Sequence, residues 1–230
     1  MDTPAAVSLP EVSLTPVEAR VLGCLIEKEL TTPDIYPLTL NSLVNACNQK
    51  SNRDPVMELG AREVENALDG LRSKKLATLF SGADARVFKY RQTLDLVYPL
   101  GIGGRVVVCE LLIRGPQTVA ELRIRTERMH QLTVEDVEAV LQEMAARPTG
   151  ALVRRLSRQP GQKEARWVQL LTGEPALTME VSTVGEAVAR AEPPASPVVS
   201  VLEQRVVALE QEMAKLRGEL MALRSSLGES

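Results

Sequence analysis

One order of elements is written twice in this chain, and nothing else in it restricts the fold as strongly. The first copy opens at Thr15-Pro16-Val17-Glu18: Thr15 suits a helix cap, Pro16 the first helical position, and Glu18 completes a capping box. Val17, Val21, Leu22, Leu25 and Ile26 then line one helical face. "TTPDIYP" interrupts, after which Leu40, Leu43, Val44 and Cys47 recur at i, i+3, i+4, i+7. A polar stretch follows, Val64, Ala67, Leu68 and Leu71 repeat the spacing, and "LATLF" and "RVFKY" alternate about "SGADA" as a hairpin. In the second copy "RVVVCELLI" is a helix stopped by Gly115-Pro116, and Thr118 and Glu121 frame a capping box around Val119 and Leu122. Thr133 and Asp136 cap a third helix with Val137, Val140, Leu141 and Met144, and "ALVRRLS" and "ARWVQLL" form a hairpin around "RQPGQKE".

Three helices and a hairpin is the order of a winged helix-turn-helix module. The expected fold is therefore mainly α, in the α+β class: two tandem winged helix-turn-helix modules, 13–98 and 99–172, followed by a C-terminal coiled-coil helix. "GIGG" at 101–104 reads as the hinge between the modules. Residues 1–12 read as disordered, and 173–197, ending in "AEPPASP", as a flexible linker. Over 198–227 heptads run unbroken, with Val199, Val206, Met213 and Leu220 at a and Leu202, Leu209, Leu216 and Leu223 at d. β-branched a positions with Leu at d favour a two-stranded coil, so these eight residues are the candidates for self-association as a homodimer. Both parallel and antiparallel pairings bring opposite charges together at e and g, leaving the orientation open.

Function classes are narrowed by what the chain lacks. No phosphate-binding glycine loop, zinc-protease motif or supported cysteine–histidine pair is present, so no enzyme, catalytic residue or cofactor is expected. Cys24, Cys47 and Cys109 are widely spaced within apolar helical patterns, and with one histidine they do not form a metal site; they read as buried thiols. With no apolar run of about 18 residues, no membrane partner is expected and the cytoplasm is the expected location.

Charge is uneven although the formal total is −3. Residues 45–91 carry nine Lys/Arg against six Asp/Glu, and 105–170 carry eleven against eight, so two mildly basic stretches lie between acidic ends. From Leu43 to Val64 is 21 positions, but from Leu122 to Val137 only 15, so the first copy holds about six extra residues within "NQKSNRDPVMELG". That loop stands where a helix-turn-helix keeps its turn. The nucleic-acid-binding candidates are accordingly Asn48, Gln49, Lys50, Asn52 and Arg53 in the loop, Arg62, Arg72, Lys74 and Lys75 on or after the third helix, and Arg86 and Lys89 on the hairpin. A competing reading has Asn45 and Asn48 capping the second helix and Asp54 pairing with Arg53, the loop bracing its own module. The third helix of the second copy turns outward Glu135, Asp136, Glu138 and Glu143, which repel a polyanion and suit a protein partner. Arg123, Arg125 and Arg128, with Arg154, Arg155 and Arg158, could meet phosphate or pair with those carboxylates, and pairing is the expectation. The leading expectation is a DNA-binding, regulator-like protein acting through its first module; the alternative is a protein-interaction adaptor acting through its second.

The run from Leu14 to Met57, with "CNQKSNRDPV" inside it, and the later "GPQTVAELRIRTERM" resemble the YceH family of bacterial proteins. The resemblance covers about residues 13 to 172 and implies two winged-helix modules in a bacterial cytoplasmic protein. It implies no reaction or ligand.

Overall fold

The computed structural model describes residues 12–80, 87–158 and 161–173. The heptad segment 198–227, residues 1–11, the linker from 174 on and Arg86 lie outside the described residues. Within them the chain is mainly helical with a few short strands.

Helix α1 (Pro16–Thr31) begins as its capping residues dictate: the Thr15 hydroxyl accepts from the Glu18 amide at 3.2 Å and the Glu18 carboxylate from the Thr15 amide at 2.7 Å. A 3-10 turn leads to β1 (Leu38–Thr39), then α2 (Leu40–Cys47) and, after a thirteen-residue loop of residues 48–60, α3 (Ala61–Ser73). Strands β2 (Ala77–Phe80) and β3 (Lys89–Gln92) form the expected hairpin, and β1 adds on the other side of β3, giving an antiparallel sheet of order β1-β3-β2. A four-residue helix α4 (Leu94–Val97) follows, seeded by Gln92, whose side-chain oxygen accepts from the Leu94 amide at 2.6 Å.

The second half repeats the order. Helix α5 (Ile102–Arg114) ends at Gly115, whose φ of +69° lies in the region that glycine enters without strain. Helices α6 (Val119–Thr126) and α7 (Val134–Ala145) open with the two expected capping boxes. Strands β4 (Val153–Arg155) and β5 (Trp167–Gln169) pair antiparallel. Gln117, just before α6, exchanges two backbone hydrogen bonds with Trp167 at 3.0 and 2.7 Å. This bridge occupies the place that β1, just before α2, takes against β3 in the first half.

One expectation is corrected. "GIGG" is not a free hinge: Gly101 caps α5 and Ile102-Gly103-Gly104 are its first turn. Its glycines serve packing, since a Cβ on Gly103 would stand 3.1 Å from a Val140 methyl and one on Gly104 3.1 Å from the Leu100 Cβ.

A single cluster of buried side chains runs through both halves, from Leu22 and Leu25 of α1 through Leu111 and Ile113 of α5 to Leu141 of α7. Helices α1 and α5 cross at Gly23, where a Cβ would come within 2.5 Å of Ile113 Cγ2 and 3.1 Å of Leu112 Cβ. The Cys109 thiol donates to the Gly23 carbonyl at 3.3 Å across this seam. The Leu14 amide adds a backbone bond to the Leu171 carbonyl at 2.7 Å, so the start of the first half is tied to the end of the second.

Candidate functional site

The loop between α2 and α3 is held from within. Asn48, the residue that ends α2, closes it: its side-chain amide donates to the Leu59 carbonyl and its side-chain oxygen accepts from the Leu59 amide, both at 2.8 Å. Asn48→Ala deletes both bonds and leaves two backbone groups to water or to no partner. We expect it to lower unfolding free energy by about 1–3 kcal/mol, measured by urea denaturation.

Arg53 points inward. Its guanidinium meets the Glu27 carboxylate through two bonds, of 2.5 and 3.1 Å, and donates also to the Ala46 and Asn52 carbonyls at 3.0 and 2.8 Å. Both side chains are fully buried. Arg20, on α1, donates to the Cys47 carbonyl at 3.1 Å and the Pro55 carbonyl at 2.6 Å, fixing both ends of the loop's first half. Asn52 adopts φ of +60°, a conformation that asparagine tolerates.

The second half grips the same loop. The Asp54 amide donates to the Ile113 carbonyl at 2.9 Å, and the Arg114 guanidinium donates to the Asn52 side-chain oxygen. Arg128, at the end of α6, donates to Glu27 and, at 2.8 Å, to Glu110. Burial works against ionisation of Glu27, but the Arg53 and Arg128 guanidiniums outweigh it and hold this carboxyl below the usual range. Glu110 is buried too, and there burial outweighs Arg128 and Arg114, so its carboxyl titrates above the usual range. The three cysteines are buried and unbridged, as their setting in apolar helices led us to expect, and the Cys24 thiol donates to the Ala46 carbonyl at 3.4 Å.

These contacts decide which nucleic-acid candidates face solvent. Arg53 has no exposed side-chain surface, so it is withdrawn as a phosphate contact. Its partner is Glu27 rather than Asp54. Asn48 and Asn52 are engaged within the chain, and Lys74 pairs with Glu18 at 2.5 Å. Arg72 forms a surface pair with Asp69 at 3.0 Å. Lys50, Arg62 and Lys75 are exposed, Gln49 and Lys89 half-buried. Two of the second-half arginines pair with other acids than expected: Arg125 with Glu121, and Arg128 with Glu27 and Glu110.

Four members of the cluster, Arg20, Glu27, Glu110 and Arg114, were not singled out from the sequence. A signal was present: Arg20, Cys24 and Glu27 fall at i, i+4, i+7, placing two charges on the buried stripe of an apolar helix, and Glu110 sits inside "VVVCELLI".

A second feature is a surface groove in the second half. A groove of about 840 Å³ lies between the start of α6, α7 and the β4–β5 hairpin. Its floor is apolar: Trp167, only 6% exposed, with Val119 and Ala139 beside it and Val134 at 40% exposure. Glu135 and Glu138 of α7 form one rim, and Arg155, Arg158 and Lys163 of the hairpin, with Glu164 among them, the other. Among the described residues no ion pair joins the two rims.

Comparison with known proteins agrees across most of the chain. A family model described as "Protein of unknown function, DUF480" matches residues 14–162. A UPF0502 protein of Geotalea daltonii is 56% identical over 178 residues, 77% of this chain and 81% of the relative. One from Geobacter sulfurreducens is 51% identical over 208 residues, covering 90% and 91% of the two chains. One from Vibrio atlanticus is 42% identical over 217 residues, covering 91% and 98%.

Proposed function

Because this chain belongs to the DUF480 family of bacterial proteins, to which the YceH and UPF0502 names also apply, and the family's description assigns no activity, we propose a function from its own surfaces. The protein is a non-enzymatic adaptor, built of two tandem winged helices, that binds another protein through its second half. One observation carries this: the helix that would enter a DNA groove is acidic in the second half, with Glu135, Asp136, Glu138 and Glu143 all exposed. In the first half the cations beside the equivalent helix include Arg53 and Lys74, which are committed to Glu27 and Glu18. A polyanion approaching the second-half helix is repelled by its four exposed carboxylates, and at the first-half helix it finds Arg53 and Lys74 already paired. The repeated order of elements and the Gln117–Trp167 bridge that matches β1 against β3 support the winged-helix reading.

The test is capture from nuclease-treated lysate. We expect a stoichiometric protein partner that is lost when Glu135 and Glu138 are reversed to Lys. Recovery of no protein above a control bait would remove the adaptor reading.

The second reading is DNA binding, favoured by the exposed Lys50, Arg62 and Lys75 in the first half. It expects a random-sequence duplex to raise fluorescence anisotropy at low salt, falling steeply as salt rises. The adaptor reading expects no such response at physiological salt. Self-association belongs to the proposal on the heptad pattern alone, and sedimentation velocity of the full chain against a chain ending at residue 197 tests it.

A further inference from the structure

We infer that the groove between α6, α7 and the β4–β5 hairpin receives an amphipathic α-helix of the partner protein, with basic residues along one edge and acidic residues along the other. This deepens the adaptor reading and rests on it.

The floor and rims define the occupant. Val119, Ala139 and Val134 contribute apolar surface to the groove over the largely buried Trp167, and alanine at 139 lets a partner backbone come close. Such a surface between two rims suits the apolar stripe of a helix laid in a groove, read by residues at i, i+3 or i+4, and i+7. The rims carry opposite net charge and no ion pair among the described residues joins them: Glu135 and Glu138 lie on one side, and Arg155, Arg158 and Lys163, only partly offset by Glu164, on the other. A helix with Lys or Arg beside α7 and Asp or Glu beside the hairpin satisfies both rims at once. Nucleic acid does not, because its phosphates would face Glu135 and Glu138. A small ligand is also a poor match. The charged groups sit exposed on the rims, whereas small-molecule pockets place a few polar groups deep among apolar ones.

Trp167 is the only tryptophan of the chain and lines this groove, so its emission is a single-site reporter of binding there. The full chain is used to select from a display library of sixteen-residue peptides with an apolar helical stripe and randomised flanking positions. We expect the enriched peptides to carry Lys/Arg along one edge and Asp/Glu along the other, and to shift Trp167 emission on binding. Ala139→Arg, an exposed helix position, should weaken them at least tenfold without lowering the chain's melting temperature. Glu135→Lys with Glu138→Lys should convert the selection to peptides acidic on both edges. The inference is overturned by enrichment without helical periodicity, by flanks of a single sign, or by peptides that bind Ala139→Arg undiminished. It is overturned equally if a synthetic peptide of residues 198–227 outcompetes every selected sequence, since the groove would then belong to the chain itself. A partner captured from lysate that ignores Ala139→Arg would end the groove assignment and leave the adaptor reading standing.

Discussion

Glu27→Gln should lower the unfolding free energy by about 3–5 kcal/mol, the typical cost of stranding a buried charge by removing its partner. Glu27 neutralises two guanidiniums, Arg53 and Arg128, and its side chain has no exposed surface. The amide keeps the shape and one acceptor but supplies no charge. Glu110→Gln should cost well under half as much, although it also is buried and also meets Arg128. The difference lies in the titration of the two acids. The folded-state value of Glu27 is depressed, so its stabilisation is present above the unfolded carboxyl value, about 4.3, and is lost as pH falls through the folded value. That of Glu110 is raised, so its contribution is complete below the unfolded value and is lost as pH rises through the folded one. The ionised form of Glu110 is therefore a burden on the fold, and the amide removes that burden. Urea denaturation at pH 7 and pH 4 separates the two: Glu27→Gln should lose less relative to the native chain at pH 4 than at pH 7.

Gly23→Val should destabilise by about 1–3 kcal/mol, at the upper end of that range for an overpacked site. A Cβ at position 23 already meets Ile113 Cγ2 at 2.5 Å, and valine adds two methyls to a helix crossing with no room for one. Ile113→Ala alone should cost about 2–5 kcal/mol by opening a cavity in the shared core. Together they should cost less than their sum by at least about 1 kcal/mol, because the space removed by one is released by the other. Additive costs would mean that α1 and α5 do not meet at this pair. Thermal melts of the two single variants and the double variant measure the coupling.

What was legible in the sequence was local. Three capping boxes, at Thr15, Thr118 and Thr133, each depend on residues three apart, and all three helices start where those residues say. The hairpins and the stop at Gly115 are local in the same sense. The partners of the loop are not. Arg53 is 26 residues from Glu27, and Arg128 is 101 residues from it. Periodicity cannot choose among the acids of a chain at such range, so Asp54, the neighbour in sequence, was the natural partner to expect. "GIGG" was misread for a related reason. Glycines that make room for Val140 and Leu100 look, in one dimension, like glycines that permit bending. The loop's length and amide content were legible, and so was a bracing role, but in the wrong detail: the loop is held by the second half as well as by its own module.

The central claim is that the polar loop after α2 is spent inside the molecule, leaving the second half to face a partner. A double-mutant cycle between Glu27→Gln and Arg53→Met, followed by urea denaturation, tests it most directly. A coupling of about 2–3 kcal/mol is predicted for this fully buried, doubly hydrogen-bonded pair. A coupling below about 0.5 kcal/mol, the level of independent sites, would contradict the claim and return Arg53 to the surface as a ligand contact.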